Sequence, residues 1–218
     1  MSEFTEAIRK GDTAAVAALI DNDPTLLQSV ENSVTPILLA IYHGHGDVAQ
    51  LLVSRGAPVS FGEAVALGDT PRVRTMLASD PALLHSRTPD GYPPAGLAIF
   101  FQHPDLAQEL IRAGADVNAA ADNANCVAPV HAAAAACDHA TMQLLLERGA
   151  DPNKKQQMDY TALHGAAGRG DIEMAKLLLA HGADRQARGT DGMTPVDVAR
   201  KHGKEEFAEW MEKAGAES

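Results

Sequence analysis

The side chains best equipped for chemistry crowd into one stretch, where Cys126, His131, Cys137 and His139 follow one another closely. Thiolate and imidazole are the ligands zinc prefers in a tetrahedral site. The spacing here is irregular, however, and matches no paired zinc-ligand pattern, so no metal site and no cofactor are expected. Catalytic signatures are missing as well. The chain contains no G-x-S-x-G, no phosphate-cradling P-loop and no H-E-x-x-H. Its many Asp and Glu residues fall at helix-capping and turn positions, so spacing nominates no acid–base pair. The expectation is a protein that is not an enzyme.

Composition narrows the class further. The 218 residues are 45 % hydrophobic but 4 % aromatic, so the core must be built from Leu, Val, Ile and above all Ala. Small side chains let helices approach closely, which leans toward stacked helices. The formal charge of −11 repels phosphate backbones and argues against nucleic acid as a partner. No apolar run is long enough for a membrane span, and the start MSEFTEAIRKGD lacks the character of a secretory signal. Two cysteines supply no disulfide framework. A soluble, cytoplasmic protein with no membrane contact is expected.

Internal repetition supplies the elements that must position these groups. Segments opening at Thr35, Pro93, Ala128, Thr161 and Thr194 align, and the last three are spaced by 33 residues. Two shorter segments, from Phe4 and Phe61, match each other at an offset of 57, so the first half reads as a tandem duplication of a two-unit block. Each unit predicts a helix, a tight turn, a second helix and a Gly stop. Thr-Pro starts a helix well, because Thr caps it and Pro lacks only an N–H that would be orphaned anyway. The first helix stops at Gly44, Gly170 or Gly203, and Gly-Asp pairs such as Gly170-Asp171 turn the chain into the second. A polar extended loop follows each second helix.

The recurring TPxH/L-x-A, G-D/H, LLL and GADxN elements resemble the ankyrin repeat, over nearly the whole chain from about Phe4 to Lys213. The resemblance implies an all-α ankyrin-repeat solenoid of stacked helix-turn-helix units with β-hairpin-like fingers. It implies one domain over residues 1–218, with units starting near 4, 35, 61, 93, 128, 161 and 194 and with caps at both ends. In the last unit Asp197 stands where His131 stands, and Glu205-Glu206 replace apolar residues, as a solvent-facing end requires. Capped ends favour a monomer. The pattern departs at the Phe61 unit, which lacks Thr-Pro and whose preceding finger is nearly deleted. It departs again at the loop 118–128, which is about two residues longer than its equivalents. Cys126 replaces a finger-turn Gly and Cys137 a helix-ending Gly. By resemblance, His131 and His164 hydrogen-bond backbone groups between neighbouring units.

The same resemblance places the two residues before the helix-ending Gly on a concave groove, and the residue before each Thr on a finger. Tyr42, His43, Tyr92, Phe100, Phe101 and Tyr160 thereby fall on the ligand face, as does Arg169. Phe4, Phe61, Phe207 and Trp210 fit core or cap positions. Phe100 and Phe101 could simply fill space left by the irregular Phe61 unit. Alternatively they form a hot spot, since exposed aromatics are enriched where partners dock. Beside them Ala135, Ala136, Gly165 and Gly168 leave a hollow, with Arg169 at its edge able to bond an acidic group. The expected function is a protein–protein interaction module, a scaffold, adaptor or regulator that grips a protein or peptide. The alternative is a small-molecule site or enzyme in the hollow between the Pro93 and Thr161 units, where Arg169, His131, Cys137 and Tyr160 would act.

Overall fold

A computed structural model describes residues 2–31 and 34–216. It divides into two compact units, Met1–Leu83 and Leu84–Ser218. The first contains the helix pairs α1 (Glu3–Lys10) and α2 (Thr13–Asn22), α3 (Pro36–Tyr42) and α4 (Gly46–Ser54), and α5 (Phe61–Ala66) and α6 (Thr70–Ser79). The second contains α7 (Pro94–Phe100) and α8 (Pro104–Arg112), α9 (Pro129–Ala136) and α10 (His139–Glu147), α11 (Ala162–Arg169) and α12 (Ile172–Ala180), and α13 (Pro195–Lys201) and α14 (Glu205–Ala216). No strand occurs among the described residues. The fold is all-α, and its seven helix pairs fall where the seven sequence units begin.

Within each unit the first helices of successive pairs pack on one another, and so do the second helices. In the first unit α1 packs on α3 and α3 on α5, while α2 packs on α4. In the second unit α7, α9, α11 and α13 form one continuous layer, α8, α10 and α12 another, and α14 closes against α13. Alanine makes this stacking possible. Ala40, Ala49 and Ala64 in the first unit, and Ala98, Ala133, Ala166 and Ala199 in the second, are fully buried. The distance between packed helices follows the size of the side chains between them. The few aromatic core residues sit where expected, with Phe4, Phe61 and Phe207 buried and the half-buried Trp210 ring edge-on to Phe207.

Capping chemistry explains where the helices begin. The side chains of Thr35 and Thr194 accept the N–H groups of Leu38 and Asp197. Asp12, Asp69, Asp138 and Asp171 do the same for the second helices. The Phe61 unit lacks Thr-Pro, and its first helix starts instead on a reciprocal capping box of Ser60 and Glu63. Ser2 plays the same part for α1, accepting the Thr5 N–H. The signal was present as Ser-x-x-Glu, one residue ahead of the Phe that the alignment took as the start.

The first helices end on a left-handed residue. Gly44, Gly170 and Gly203 have φ of 75°, 75° and 68°, while Gln102 and Cys137 take the same conformation at 59° and 53° without being glycine. Side chains pay a steric cost there of roughly 1 kcal/mol. A Cβ on Gly170 would also meet the Lys204 side chain at 3.1 Å. Gly170→Ala is therefore expected to lower stability by about 1–2 kcal/mol, and Cys137→Gly to raise it by about 1 kcal/mol. Urea denaturation of both variants checks this, and equal midpoints for the two would refute the strain argument.

Candidate functional site

The fourth residue of several repeats, counted from the helix cap, does similar mechanical work with different chemistry. In the repeats capped by Ala128 and Thr161 it is an imidazole. His131 Nδ1 accepts the Ala128 N–H at 3.0 Å, and its Nε2 donates to the Lys154 carbonyl at 2.8 Å. His164 repeats this with the Thr161 N–H at 3.1 Å and the Met193 carbonyl at 3.2 Å. Each ring thus clasps its own helix start to the following finger, as the resemblance implied. Both nitrogens are engaged and both residues are buried, so neither is free to act as a base. In the repeat capped by Ser60 a carboxylate fills the position, as Asp197 does in the repeat capped by Thr194. Glu63 is 1 % exposed, accepts the Ser60 N–H at 2.6 Å and receives the Thr35 hydroxyl.

The fingers of the second unit are turns joined to one another. Asp122 N–H donates to Gly91, Gln157 to Asn125 and Thr190 to Met158, each at 2.9–3.0 Å. At the opposite end of the long loops, the GADxN asparagines reach across. Asn118 Nδ2 donates to the Gly149 carbonyl while its Oδ1 accepts from Asp151 N–H, and Asn153 does likewise with Gly182 and Asp184. Asp116 and Asp151 accept backbone N–H groups two residues on, the turn role expected of them.

Between the first helices and the fingers of the second unit lies a hollow of about 280 Å³. Phe100, Gln102, Val127, His131, Ala135, Ala136, Gln156 and Gly165 are among its walls. A Cβ at Gly165 would meet Ala134 at 3.7 Å, an ordinary van der Waals contact. The Phe100 ring is 56 % exposed. It lies 5.9 Å from the half-buried Tyr92 ring and 5.1 Å from Phe101, edge-on to the latter. Three of the sequence-nominated residues therefore form one aromatic cluster at the hollow.

The remaining nominated residues are placed differently. Tyr160 stacks on His164 at 4.6 Å and donates its hydroxyl to Asp191 at 2.7 Å. Burial and the Asp191 carboxylate push that phenol up to about 12. Its ring packs so close to Gly189 that a Cβ there would overlap it, so Tyr160 pins one finger to the next. Arg169 is exposed at the end of α11, with no hydrogen bond or ion pair among the described residues. Tyr42, 42 % exposed, ends α3 in the first unit, and the adjacent His43 ring stacks on His45. Sequence reasoning places Val127 on a finger without nominating it for the site, and it missed Gln102 and Gln156 as lining residues. Gln102 was detectable, since it occupies a glycine position at the end of α7.

The cysteine-histidine stretch is dispersed. Cys126 donates to the Asn123 carbonyl, His131 is committed to its clasp, and Cys137 and His139 both turn toward Asp171. Among the described residues no group of three or more His, Cys, Asp or Glu is arranged to hold a metal ion. Both thiols are exposed and unpaired.

Comparison with known proteins agrees with this architecture. The family profile described as ankyrin repeats (3 copies) matches residues 61–156 and 130–217, and the single ankyrin-repeat profile matches residues 32–61. No curated protein matches the chain.

The clasps have a pH signature. Burial holds the imidazoles of His131 and His164 below the ordinary 6.5. The unfolded chain therefore takes up these protons first, so their contribution is intact above about pH 6.5 and is lost as the pH falls below it. Asp191 and Asp197, held below 3.8 by hydrogen bonds, act in a separate and more acidic window. The urea midpoint is expected to fall between about pH 7.5 and about pH 5.5, and to fall less in His164→Gln. An unchanged slope in that variant would dismiss the assignment.

Proposed function

The chain belongs to the ankyrin-repeat family, and on that premise we propose that it binds a protein or peptide through the first helices and fingers of its second unit. Ankyrin repeats are generally protein–protein interaction modules, and the family's members are typically non-enzymatic. Fold alone does not settle what one member does, so the reading rests on its surface. The observation that carries it is the Tyr92–Phe100–Phe101 cluster beside the hollow, with Phe100 56 % exposed in a chain that is only 4 % aromatic. An exposed ring that merely filled space would be covered. Aromatics are the side chains that concentrate binding energy at interfaces.

Phe100 and Phe101 form the centre of the surface, Tyr92 and Tyr160 its finger edge, and Arg169 its charged rim. Tyr42 and His43, on the first unit, offer a contact surface of their own. A second reading, a small-molecule ligand, is favoured by the hollow of about 280 Å³, close to the lower end of ligand pockets. Two unpaired thiols fit a reducing compartment such as the cytoplasm. The acidic exposed face of α14, with Glu205, Glu206 and Glu209, fits an end cap and a monomer. No helix among the described residues is long and apolar enough to cross a membrane.

The wild-type chain and Phe100→Ala/Phe101→Ala are to be immobilised and exposed to lysate of the source cell, with retained proteins identified by mass spectrometry. Circular dichroism melts first establish that the variant is folded. A partner held by the wild type and released by the folded variant is expected, with affinity reduced by about tenfold or more. Equal retention by both would remove the aromatic cluster from the interface.

A further inference from the structure

The net charge of −11 suggests a basic partner, but charge is not spread evenly over the helices of the second unit. Its second helices carry the acids: Asp105 and Glu109 on α8, Glu147 on α10, Glu173 on α12, and Glu205, Glu206, Glu209 and Glu212 on α14. The first helices read PAGLAIF, PVHAAAAA, ALHGAAGR and PVDVARK. Asp197 is the one acid among those four sequences, and it is committed to the Thr194 cap, bonding both its N–H and its hydroxyl. The cations on that layer are Arg169, Arg200 and Lys201, and Arg200 is paired with Glu212. The layer that lines the hollow is therefore apolar with a cationic edge, inside an acidic chain.

The hollow itself holds no charge. His131 presents a ring whose two nitrogens are both occupied by backbone partners and whose burial disfavours the protonated form. Ala132, Ala134, Ala135, Ala136 and Gly165 supply small apolar walls, and Phe100 and Val127 larger ones. Gln102 and Gln156 line it as well, and neither side-chain amide has a partner among the described residues. A primary amide offers both a donor and an acceptor, which is what an extended main chain presents in return. Arg169 follows Gly165 by four residues on α11, so the two positions share a face one turn apart, and Arg169 is exposed.

Resting on the binding reading above, we propose that this hollow receives one aliphatic or aromatic side chain of an acidic peptide segment, whose carboxylate pairs with Arg169 and whose main chain is met by Gln102 and Gln156. The volume fits a single large side chain rather than a whole folded surface. The charge at its edge selects for Asp or Glu a few residues along the segment. Long-range repulsion between two acidic chains slows association, so the charge selection is local and salt-sensitive.

Blocked hexapeptide pools test this against the isotopically labelled full-length chain by NMR. One pool fixes Leu at the third position and Glu toward the end. A second replaces that Leu by Ser, and a third replaces the Glu by Ser. The Leu/Glu pool is expected to shift the amide signals of Gln102, Val127, Ala135 and Gly165, and the Ser-for-Leu pool to bind about tenfold or more weakly. Arg169→Gln should weaken the Leu/Glu pool about threefold to fivefold and leave the Glu-less pool unchanged. Ala135→Leu, an exposed helix position that accepts Leu without strain, should abolish binding of both pools with no loss in thermal midpoint. The proposal is overturned if no pool moves those signals, if Arg169→Gln weakens both pools alike, or if Ala135→Leu leaves binding intact. N-acetyl-leucine binding as tightly as the peptides would assign the hollow to a small acid instead. A captured protein that is lost in Phe100→Ala/Phe101→Ala but kept by Arg169→Gln and Ala135→Leu would sink this assignment alone. Loss of neither protein nor peptide binding in Phe100→Ala/Phe101→Ala would remove the broader reading.

Discussion

Each imidazole clasp in the second unit solves two problems with one ring. A helix start leaves backbone N–H groups without partners, and a long finger leaves carbonyl groups in the same condition. His131 accepts from the Ala128 N–H and donates to the Lys154 carbonyl. The finger is thereby held against the helix of the preceding repeat, which fixes where Val127 and Gln156 stand and keeps the hollow between them open. Were the ring to turn away, the buried Ala128 N–H would be stranded at a cost of about 1–3 kcal/mol, and the half-buried Lys154 carbonyl would lose its partner as well. The groove is thus a consequence of backbone satisfaction rather than a feature added to the fold.

The first unit reaches a similar end with other atoms. Glu63 takes the helix-start N–H and the hydroxyl of Thr35, the cap of the first helix in the preceding pair. Thr5, in the corresponding place, donates to Glu31. A carboxylate can only accept, so it must look for a hydroxyl or N–H, whereas neutral imidazole accepts on one side and donates on the other. His131 and His164 each tie down the finger that follows through one of its carbonyl groups. Glu63 instead binds back toward the preceding repeat, across the short connection between Gly56 and Phe61.

Most of the architecture was legible before any coordinates, because the repeat writes it several times. Thr-Pro starts, Gly-Asp turns and left-handed glycines each have one local physical cause, and the helices fall where those causes put them. What was not legible required atoms from distant parts of the chain. Ser2 and Ser60 lie outside a repeat pattern anchored on Phe4 and Phe61, although Ser-x-x-Glu at 60–63 is itself a start signal. Tyr160 was nominated for the binding face on its finger position alone. Its bonds to Asp191 and its stacking on His164 show a structural task that no spacing encodes. Gln156 has no pattern to betray it, whereas Gln102 stands where other first helices end on a left-handed glycine.

The distribution of side chains across the two layers has its own logic. A stacked array needs a solvated outer face, and acids on α8, α10, α12 and α14 provide it. The inner layer needs close approach between helices, which alanine permits and charge opposes. Once Ala and Gly are chosen for packing, the surface they leave is hollow and apolar, and any large residue at a helix end stands out from it. Phe100 is such a residue, 56 % exposed at the end of a helix whose other members are buried. Water leaves an apolar hollow more readily than it leaves a flat polar face, and a ring at its rim adds contact area with little loss of side-chain freedom. The requirements of stacking and of recognition therefore converge on one layer, and the second unit meets both with the same small residues.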